Sequence, residues 1–338
     1  MASIVAFVSY ASPLKDDEAV IFFPSSATQS ADGSWSAPIH HWVFEKEEGS
    51  IGRKITQKVL SEVLESLGVT EKQAESDVTQ QRLMWFLVDN QRRKLINISV
   101  NGKQKKLNVS QANGHAHSNI KLSGLTKLGS WVSYKAIDPF KRTFSGDIQL
   151  IPNTGLSVIS DIDDTIKISN VLDKKELIKN TFVNPYLVTN GFPEYYKELQ
   201  ESGAFFHYVS ASPWQLYPTL KPFMDENYPK GTISLRNFRV KDSSLLKFLE
   251  PSTEYKINTI TSIINRYPKH QFILIGDSGE HDPEIYAKIY SKFSSNIQSI
   301  QIRKVEGSDL TKERFATTFK QVPVKAWKLV SNPSENVK

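Results

Sequence analysis

Cysteine is absent from all 338 residues. That removes disulfides, zinc–thiolate centres and thiol nucleophiles together, and it suits a reducing compartment. Long apolar runs are missing as well. No stretch approaches the roughly 20 residues that a membrane-spanning helix needs. The opening Met1-Ala2-Ser3-Ile4-Val5-Ala6-Phe7-Val8 has no basic residues ahead of its very short apolar run, so a secretory leader is not expected. Charge of one sign is not concentrated anywhere. Residues 1–150 hold 18 Lys and Arg against 15 Asp and Glu, and the remainder holds 24 against 21, so each part carries half of the net +6. This mild, even surplus gives no support to nucleic-acid binding, although it would favour an anionic lipid surface. Internal repeats and low-complexity segments are lacking too.

What is present is an ordinary globular composition, 39% hydrophobic and 23% charged, on a chain long enough for about two domains of roughly 150 residues. Short strand-like runs occupy 4–9, 19–23 and 39–44, with a turn signal at Ala31-Asp32-Gly33-Ser34. Residues 52–94 change to a helical rhythm. Ile55, Val59, Val63 and Leu67 recur at every fourth position, Gly68 stops the pattern, and Thr70-Glu71-Lys72-Gln73 fits a capping box that opens a second helix. Strand patterns return at 95–100, 105–109, 120–122, 131–136 and 143–150, with Asn101-Gly102 as a hairpin turn. Residues 1–150 therefore read as a mostly β, sandwich-like domain with a helical hairpin inserted at about 52–94, and residues 151–155 as the junction.

From residue 156 the rhythm alternates. Apolar runs at 156–162, 205–210, 233–240, 272–275 and 297–302 are separated by helical patterns near 192–202, 214–227, 253–266 and 283–293. Such alternation predicts an α/β domain over 151–320, a parallel sheet wrapped by helices, followed by a tail at 321–338. The chemistry sits at strand ends. Ser157-Val158-Ile159-Ser160 leads into Asp161-Ile162-Asp163-Asp164-Thr165, three carboxylates in four residues at the edge where open α/β sheets bind ligands. Carboxylates this crowded need a cation or a shared proton. A second apolar run ends in Gly276-Asp277-Ser278-Gly279-Glu280-His281-Asp282. In a parallel sheet that end lies on the same edge, so Asp161, Asp163, Asp277 and Asp282 become candidates to share one Mg²⁺. Phe206-His207-Tyr208-Val209-Ser210-Ala211-Ser212-Pro213-Trp214 delivers a hydroxyl and free N–H groups to the edge, and Lys256 adds a cation.

Asp161-Ile162-Asp163-Asp164-Thr165, Ser210, Lys256 and Gly276-Asp277…Asp282 resemble, in the same order, the four motifs of the haloacid dehalogenase superfamily. The text around Ser210 and Lys256, and the run Ile275-Gly276-Asp277-Ser278-Gly279-Glu280-His281-Asp282-Pro283-Glu284-Ile285-Tyr286, is similar to the fungal actin-patch phosphatidate phosphatases. The likeness is strong over about 150–305 and looser before it. Fungal members carry a proline-rich tail that this stretch lacks. The resemblance implies a haloacid dehalogenase-like (Rossmannoid) sheet with helices on both faces, and Mg²⁺-dependent hydrolysis of phosphatidate to diacylglycerol and phosphate. It makes Asp161 the nucleophile and Asp163 the acid/base. Asp161, Asp163 (through its carbonyl), Asp277 and Asp282 become metal ligands, and Ser210 and Lys256 hold phosphoryl oxygens. It further implies a cytoplasmic, peripheral membrane location and actin-patch or endocytic partners.

Other readings stand beside these. Thr165, placed with Ser210 and Lys256 on the substrate side, would equally shape its loop; Asp282 would equally cap a helix starting at Pro283, and Ser212 the helix after it. Asp164 is expected to bond the loop only, and His207 to be a core residue. Tyr195, Tyr196, Trp214 and Tyr217 are expected to border a lipid entrance, with Arg236, Arg239 and Lys241 near the headgroup. A soluble phosphomonoesterase of the same superfamily, or an adaptor with a vestigial phosphatase half, are the alternative functions.

Overall fold

A computed structural model describes residues 11–46, 51–237 and 252–333. The strand expected at 4–9, the end of the run at 233–240, and Arg239 and Lys241 lie outside the described residues. The contacts divide the chain into two units: Met1–Gly49 with Val88–Ile151, and Ser50–Leu87 with Pro152–Lys338.

Among the described residues the regular elements of the first unit are all strands. Its strands are β1 (Glu18–Phe23), β2 (Ser25–Gln29), β3 (Trp35–Glu45), β4 (Asp89–Asn90), β5 (Asn97–Val100), β6 (Lys103–Lys106), β7 (His115–Leu122), β8 (Trp131–Ala136) and β9 (Ser145–Leu150). They run in the order β1-β3-β2-β9-β8-β5-β6, with β4 and β7 also paired to β3. All pairs are antiparallel except β2 with β9. Val20 and Phe22, Ile39 and Val43, Ile98 and Val100, Tyr134, and Ile148 and Leu150 fill one shared core from five strands. The β5–β6 turn is Asn101-Gly102, both with positive φ, as a two-residue hairpin whose twist matches its strands requires. Sequence reading missed β2, because Ser-Ser-Ala-Thr-Gln has no apolar alternation; its pairing to β3 and β9 makes it a strand.

The helical stretch interrupting this unit in sequence groups with the second unit. It forms α1 (Ile51–Ser66), α2 (Glu71–Ala74) and α3 (Asp77–Met84). Thr70 and Gln73 close the expected capping box, but the second helix breaks after one turn and restarts under a second cap, Ser76, which accepts from Thr79 N. Arg82 of α3 donates to the carbonyls of Thr181 and Asn184, at 3.1 and 2.8 Å, within the second unit.

The second unit holds β10 (Thr154–Ser160), α4 (Lys174–Ile178), α5 (Phe192–Glu201), β11 (Phe205–Pro213), α6 (Tyr217–Asn227), β12 (Thr232–Arg236), α7 (Thr253–Arg266), β13 (Lys269–Asp277), α8 (Asp282–Phe293), β14 (Ile297–Arg303), α9 (Lys312–Thr318) and β15 (Trp327–Val330). The sheet order is β12-β11-β10-β13-β14-β15, and every pair is parallel. Counted along the chain this is 3-2-1-4-5-6. Right-handed crossovers then put helices on both faces and leave a crevice where the order reverses, beyond the ends of β10 and β13. The expected tail at 321–338 contains β15, whose run Trp327-Lys328-Leu329-Val330 pairs with β14 and is too short to give a periodic signal.

Candidate active site

β10 and β13 are register neighbours, Ser160 opposite Ile275, and the Asp161 N–H donates to the Ile275 carbonyl at 2.9 Å. That bond carries the β10 ladder one residue past the strand, so Asp161 leaves the sheet beside Gly276-Asp277. Asp161, Asp277 and Asp282 are all buried and each offers a carboxylate oxygen within 4.8 Å of the others. Among the described residues they are the one such acidic cluster. Asp282 comes from the first turn of α8, where its Oδ2 accepts from Asp277 N at 3.2 Å rather than capping its own helix. Gly276 makes this approach possible: a Cβ there would lie 2.7 Å from the Asp282 Cβ and 2.8 Å from its Cγ.

Lys256, buried on α7, reaches Asp161 Oδ1 and Asp282 Oδ1, each at 2.8 Å, and Glu280 Oε2 at 3.2 Å. Burial works against its charge, but Asp161, Asp282 and Glu280 together carry its pKa well above the ordinary lysine value. Burial likewise drives Asp161 well above the usual carboxylate range; Lys256 opposes this, and Asp282, Glu280 and Asp163 add to it. Asp277 is raised by burial, then by Asp282 and Asp161. Lys256 thus carries one charge against the three carboxylates it touches, and Asp277 adds a fourth. The Asp277 Oδ1 accepts from the N–H groups of Gly279 and Glu280, at 2.6 and 3.1 Å, while its Oδ2 is buried without a hydrogen-bond partner. An orphaned carboxylate oxygen inside an all-oxygen cluster fits a hard divalent cation.

Asp163 stands apart from that cluster in its partners. Its Oδ1 receives Lys167 Nζ at 2.9 Å and Ser169 Oγ at 2.7 Å; its Oδ2 receives Ser210 Oγ at 3.0 Å and Ser212 Oγ at 2.8 Å. Burial would raise its pKa, but Lys167 and the hydroxyl donors outweigh that and hold the carboxyl below the usual range. Asp164 adopts φ 52°, and its carboxylate accepts from the N–H groups of Ser169, Asn170 and Val171, folding the loop back on itself. Thr165 Oγ1 donates to Asp161 Oδ2 at 3.2 Å.

Several expectations fare differently. Ser210 Oγ donates to Asp163, and the Lys256 ammonium faces Asp161, Asp282 and Glu280. Ser212 does not cap a helix; its hydroxyl is a further partner of Asp163, and the turn after it is capped by no side chain. The aromatic entrance is corrected as well. Tyr196, Trp214 and Tyr217 are buried, and the Tyr196 hydroxyl pairs with Ser160 Oγ at 2.7 Å among Phe206, Tyr208 and Tyr228. Aromatic character alone cannot separate a wet rim from a core. His207 is buried, with Nδ1 on Thr232 Oγ1 at 2.8 Å.

Residues not foreseen also matter. Lys167 and Ser169 lie four and six positions beyond Asp163, and the repeat of polar residues in an otherwise buried loop was the available signal. Glu280 was passed over within the acidic loop. Arg314 of α9 gave no local signal at all, yet it donates to the carbonyls of Ser278 and Glu280, at 2.8 and 3.0 Å, and pairs with Glu284 at 3.0 Å. It braces the loop between Asp277 and Asp282.

Residues 156–304, which hold all of these strand-end groups, match the family model described as the catalytic domain of phosphatidate phosphatase APP1. This segment resembles that domain. The Saccharomyces cerevisiae protein named phosphatidate phosphatase APP1 is 37% identical over 170 residues, 49% of this chain and 28% of its own length. An uncharacterized protein of Schizosaccharomyces pombe is 33% identical over 173 residues, 50% of this chain and 28% of its own. The chain thus spans little more than a quarter of either relative. A class C acid phosphatase of Bacillus anthracis solved with tungstate overlaps 53% of this chain and 68% of its own, at 14% identity and a TM-score of 0.29, which is too low to bear on the fold. The resemblance to APP1 read from the motifs is borne out by the family match and by the yeast relative.

Proposed function

We propose that this chain is a Mg²⁺-dependent phosphatidate phosphatase of the haloacid dehalogenase type, working through an aspartyl-phosphate. The observation that carries the reading is the meeting of Asp161 with Asp277, Asp282 and Lys256, residues about a hundred positions or more apart in the chain. Asp161, Asp277 and Asp282, with the carbonyl of Asp163, would hold the cation. When bound, that ion offsets the negative charge of nucleophile and phosphate and stabilises the charge on the equatorial oxygens.

The remaining work falls to side chains. A carboxylate oxygen of Asp161 forms the bond to phosphorus as the ester P–O bond breaks, and the alcohol leaves with a proton. Water then cleaves the aspartyl-phosphate, regenerating Asp161 and releasing phosphate. Asp163, held below the usual carboxylate range, is ionised in the resting site and so open to the proton from that water once one of its hydroxyl donors turns aside, although the lowered pKa makes it a weaker base. Protonating the leaving alcohol requires Asp163 first to gain a proton that the resting site does not favour. Lys256 keeps its charge beside Asp161 and can meet a phosphoryl oxygen once the cation takes over the acids. Thr165 holds the second oxygen of the nucleophile.

The alcohol half of the substrate rests on the family likeness alone, since three of the four aromatic side chains expected to greet a lipid, Tyr196, Trp214 and Tyr217, are buried. The test is therefore a substrate panel on the purified protein with Mg²⁺, comparing phosphatidate in mixed micelles with water-soluble phosphate monoesters. Turnover of phosphatidate that EDTA abolishes and Mg²⁺ restores supports the reading. Turnover of soluble esters alone replaces it with a soluble phosphomonoesterase, and metal-independent turnover rejects the ligand scheme.

A further inference from the structure

We propose that Lys167 is a positioning residue for Asp163, fixing that carboxylate for hydrolysis of the phosphoenzyme. The inference rests on the phosphatase reading above and adds to it a lysine outside the motif positions already assigned. Lys167 is buried, and its ammonium meets Asp163 Oδ1 at 2.9 Å. The same ammonium donates to Ser169 Oγ, which in turn donates to Asp163 Oδ1. With Ser210 and Ser212 on Oδ2, each oxygen of Asp163 has two donors, drawn from two separate loops. A carboxylate with two donors on each oxygen cannot swing; its four lone-pair directions are taken, so a serine hydroxyl turns aside when water donates there, while the Lys167 ammonium keeps the group in place.

The backbone builds this arrangement deliberately. Asp164 sits at φ 52°, and its N–H donates to the Lys167 carbonyl at 2.7 Å, while Lys167 N–H donates to the Ile162 carbonyl at 3.0 Å. The tight turn folds residue 167 back onto residue 163. Behind the ammonium lies the Tyr186 ring, whose centroid is 5.3 Å from Nζ. The same ring carries the Arg82 guanidinium at 4.1 Å, and its hydroxyl bonds the Thr181 carbonyl and Thr219 Oγ1 at 3.2 and 3.1 Å. The helical stretch that breaks into the β-rich sequence thereby reaches the second aspartate through Arg82 and Tyr186.

A buried ion pair contributes little net stability, because desolvation of both charges offsets their attraction. Its retention here serves orientation. The division between the two lysines is also clear. Lys256 touches the nucleophile and the metal-binding acids, whereas Lys167 touches Asp163 and Ser169. In the step concerned, water oxygen bonds phosphorus, its proton passes to Asp163, and the phosphorus–Asp161 bond breaks with its electron pair returning to Asp161.

The test uses p-nitrophenyl phosphate, whose leaving group needs no protonation, in stopped-flow with Mg²⁺ on the whole chain. For Lys167→Met we expect a p-nitrophenolate burst near one per chain, followed by turnover about 100-fold slower, the scale of a lost proton-transfer group. KM should fall together with kcat, leaving kcat/KM within about threefold, because only the step after bond formation to Asp161 is slowed. Lys167→Arg should recover most of the slow phase. Tyr186→Leu, which keeps the charge but removes its backing, should slow the same phase by less than about tenfold with an intact burst, and it carries the test if the buried Met variant does not fold. Wild-type turnover in Lys167→Met overturns the proposal. So does a raised KM at unchanged kcat, which marks a phosphate ligand, or a burst that shrinks in step with turnover, which marks a structural role. A wild-type chain inert toward both this ester and phosphatidate under Mg²⁺ overturns the phosphatase reading itself, and the inference with it; where phosphatidate alone is turned over, acid-quenched phosphoenzyme formed from phosphatidate replaces the p-nitrophenolate burst as the readout.

Discussion

The unit built from Met1–Gly49 and Val88–Ile151 gathers imidazoles across a sheet face; the other gathers buried carboxylates around an ammonium group at a sheet edge. The first stacks His40 on His117 at 4.1 Å between ring centroids, places His40 Nε2 2.9 Å from His115 Nδ1, and buries His41, with Lys94–Glu18 at 2.6 Å as a buried ion pair. The second gathers Asp161, Asp277, Asp282 and Glu280 around Lys256. The difference follows from topology. Antiparallel neighbours send their ends in opposite directions, so polar side chains meet across a sheet face: His40 is the register partner of His117 on β3 and β7. Parallel strands end on one edge, so groups remote in sequence meet there and charge accumulates until an ion or ligand relieves it.

If the strand-end charge is chemistry and the imidazole face is packing, substitutions should separate the two. The largest effect is expected from Asp161→Asn, which removes the nucleophile while preserving its size. Turnover should fall on the order of 10⁴-fold or more while the thermal unfolding temperature stays close to wild type. Wild-type-like hydrolysis would refute the assignment.

Next comes Gly276→Ala. Its methyl group displaces Asp282, so apparent Mg²⁺ affinity should drop by about 10- to 100-fold, with activity partly recovered at high Mg²⁺. A titration of activity against Mg²⁺ checks this, and an unchanged midpoint would remove Asp282 from the cation's surroundings.

Acid should act in opposite directions on the imidazole face of β3 and β7 and on the acidic cluster at the ends of β10 and β13. Burial, with neighbouring imidazoles adding to it, lowers His115 to about 3 and His41 to about 4, and takes His40 well below its usual value. Their unfolded values lie near 6.5, so the folded unit binds fewer protons, and its stability is full above that pH and is lost as pH falls through 6 toward 4. The cost is about 1–2 kcal/mol for each fully buried ring by pH 5. Asp161 and Asp277 are raised, so without metal their protonation relieves repulsion, and that local contribution grows as pH falls through the raised values. Hydrogen exchange at pH 7 and 5 in EDTA should show protection falling in β3 and β7, and beside the buried His207 and His270, but holding at the Asp161 and Asp277 ends of β10 and β13. Equal loss in both would break the contrast.

The smallest effect is expected from Gly102→Ala at φ 72°, about 1 kcal/mol in stability, read as a lower unfolding temperature with activity unchanged.

The site was more legible than its surroundings. Strand ends followed by acids marked Asp161, Asp277 and Asp282, because a buried run that terminates in carboxylates must deliver them to a cation, a proton or a donor. Lys256 was legible only through the order of motifs, since one lysine early in a helix is ordinary. The parallel sheet followed from alternation, but β15 did not, because four residues give no period. The break between α2 and α3 was hidden because Thr70 and Ser76 are both good caps and only packing chooses how far each helix runs. The buried Tyr196, Trp214 and Tyr217 show the limit of reading side-chain type as location. Lys167 and Arg314 act through three-dimensional contacts that sequence spacing does not encode.

The central claim is that Asp161, Asp277 and Asp282 share one divalent cation. Calorimetric titration of the metal-stripped protein with Mg²⁺ tests it most directly, comparing the wild-type chain with Asp277→Asn. We expect one site per chain in the wild type and its loss in the variant, whose fold is checked by circular dichroism. Equal Mg²⁺ binding by both, or none by the wild type, would contradict the account.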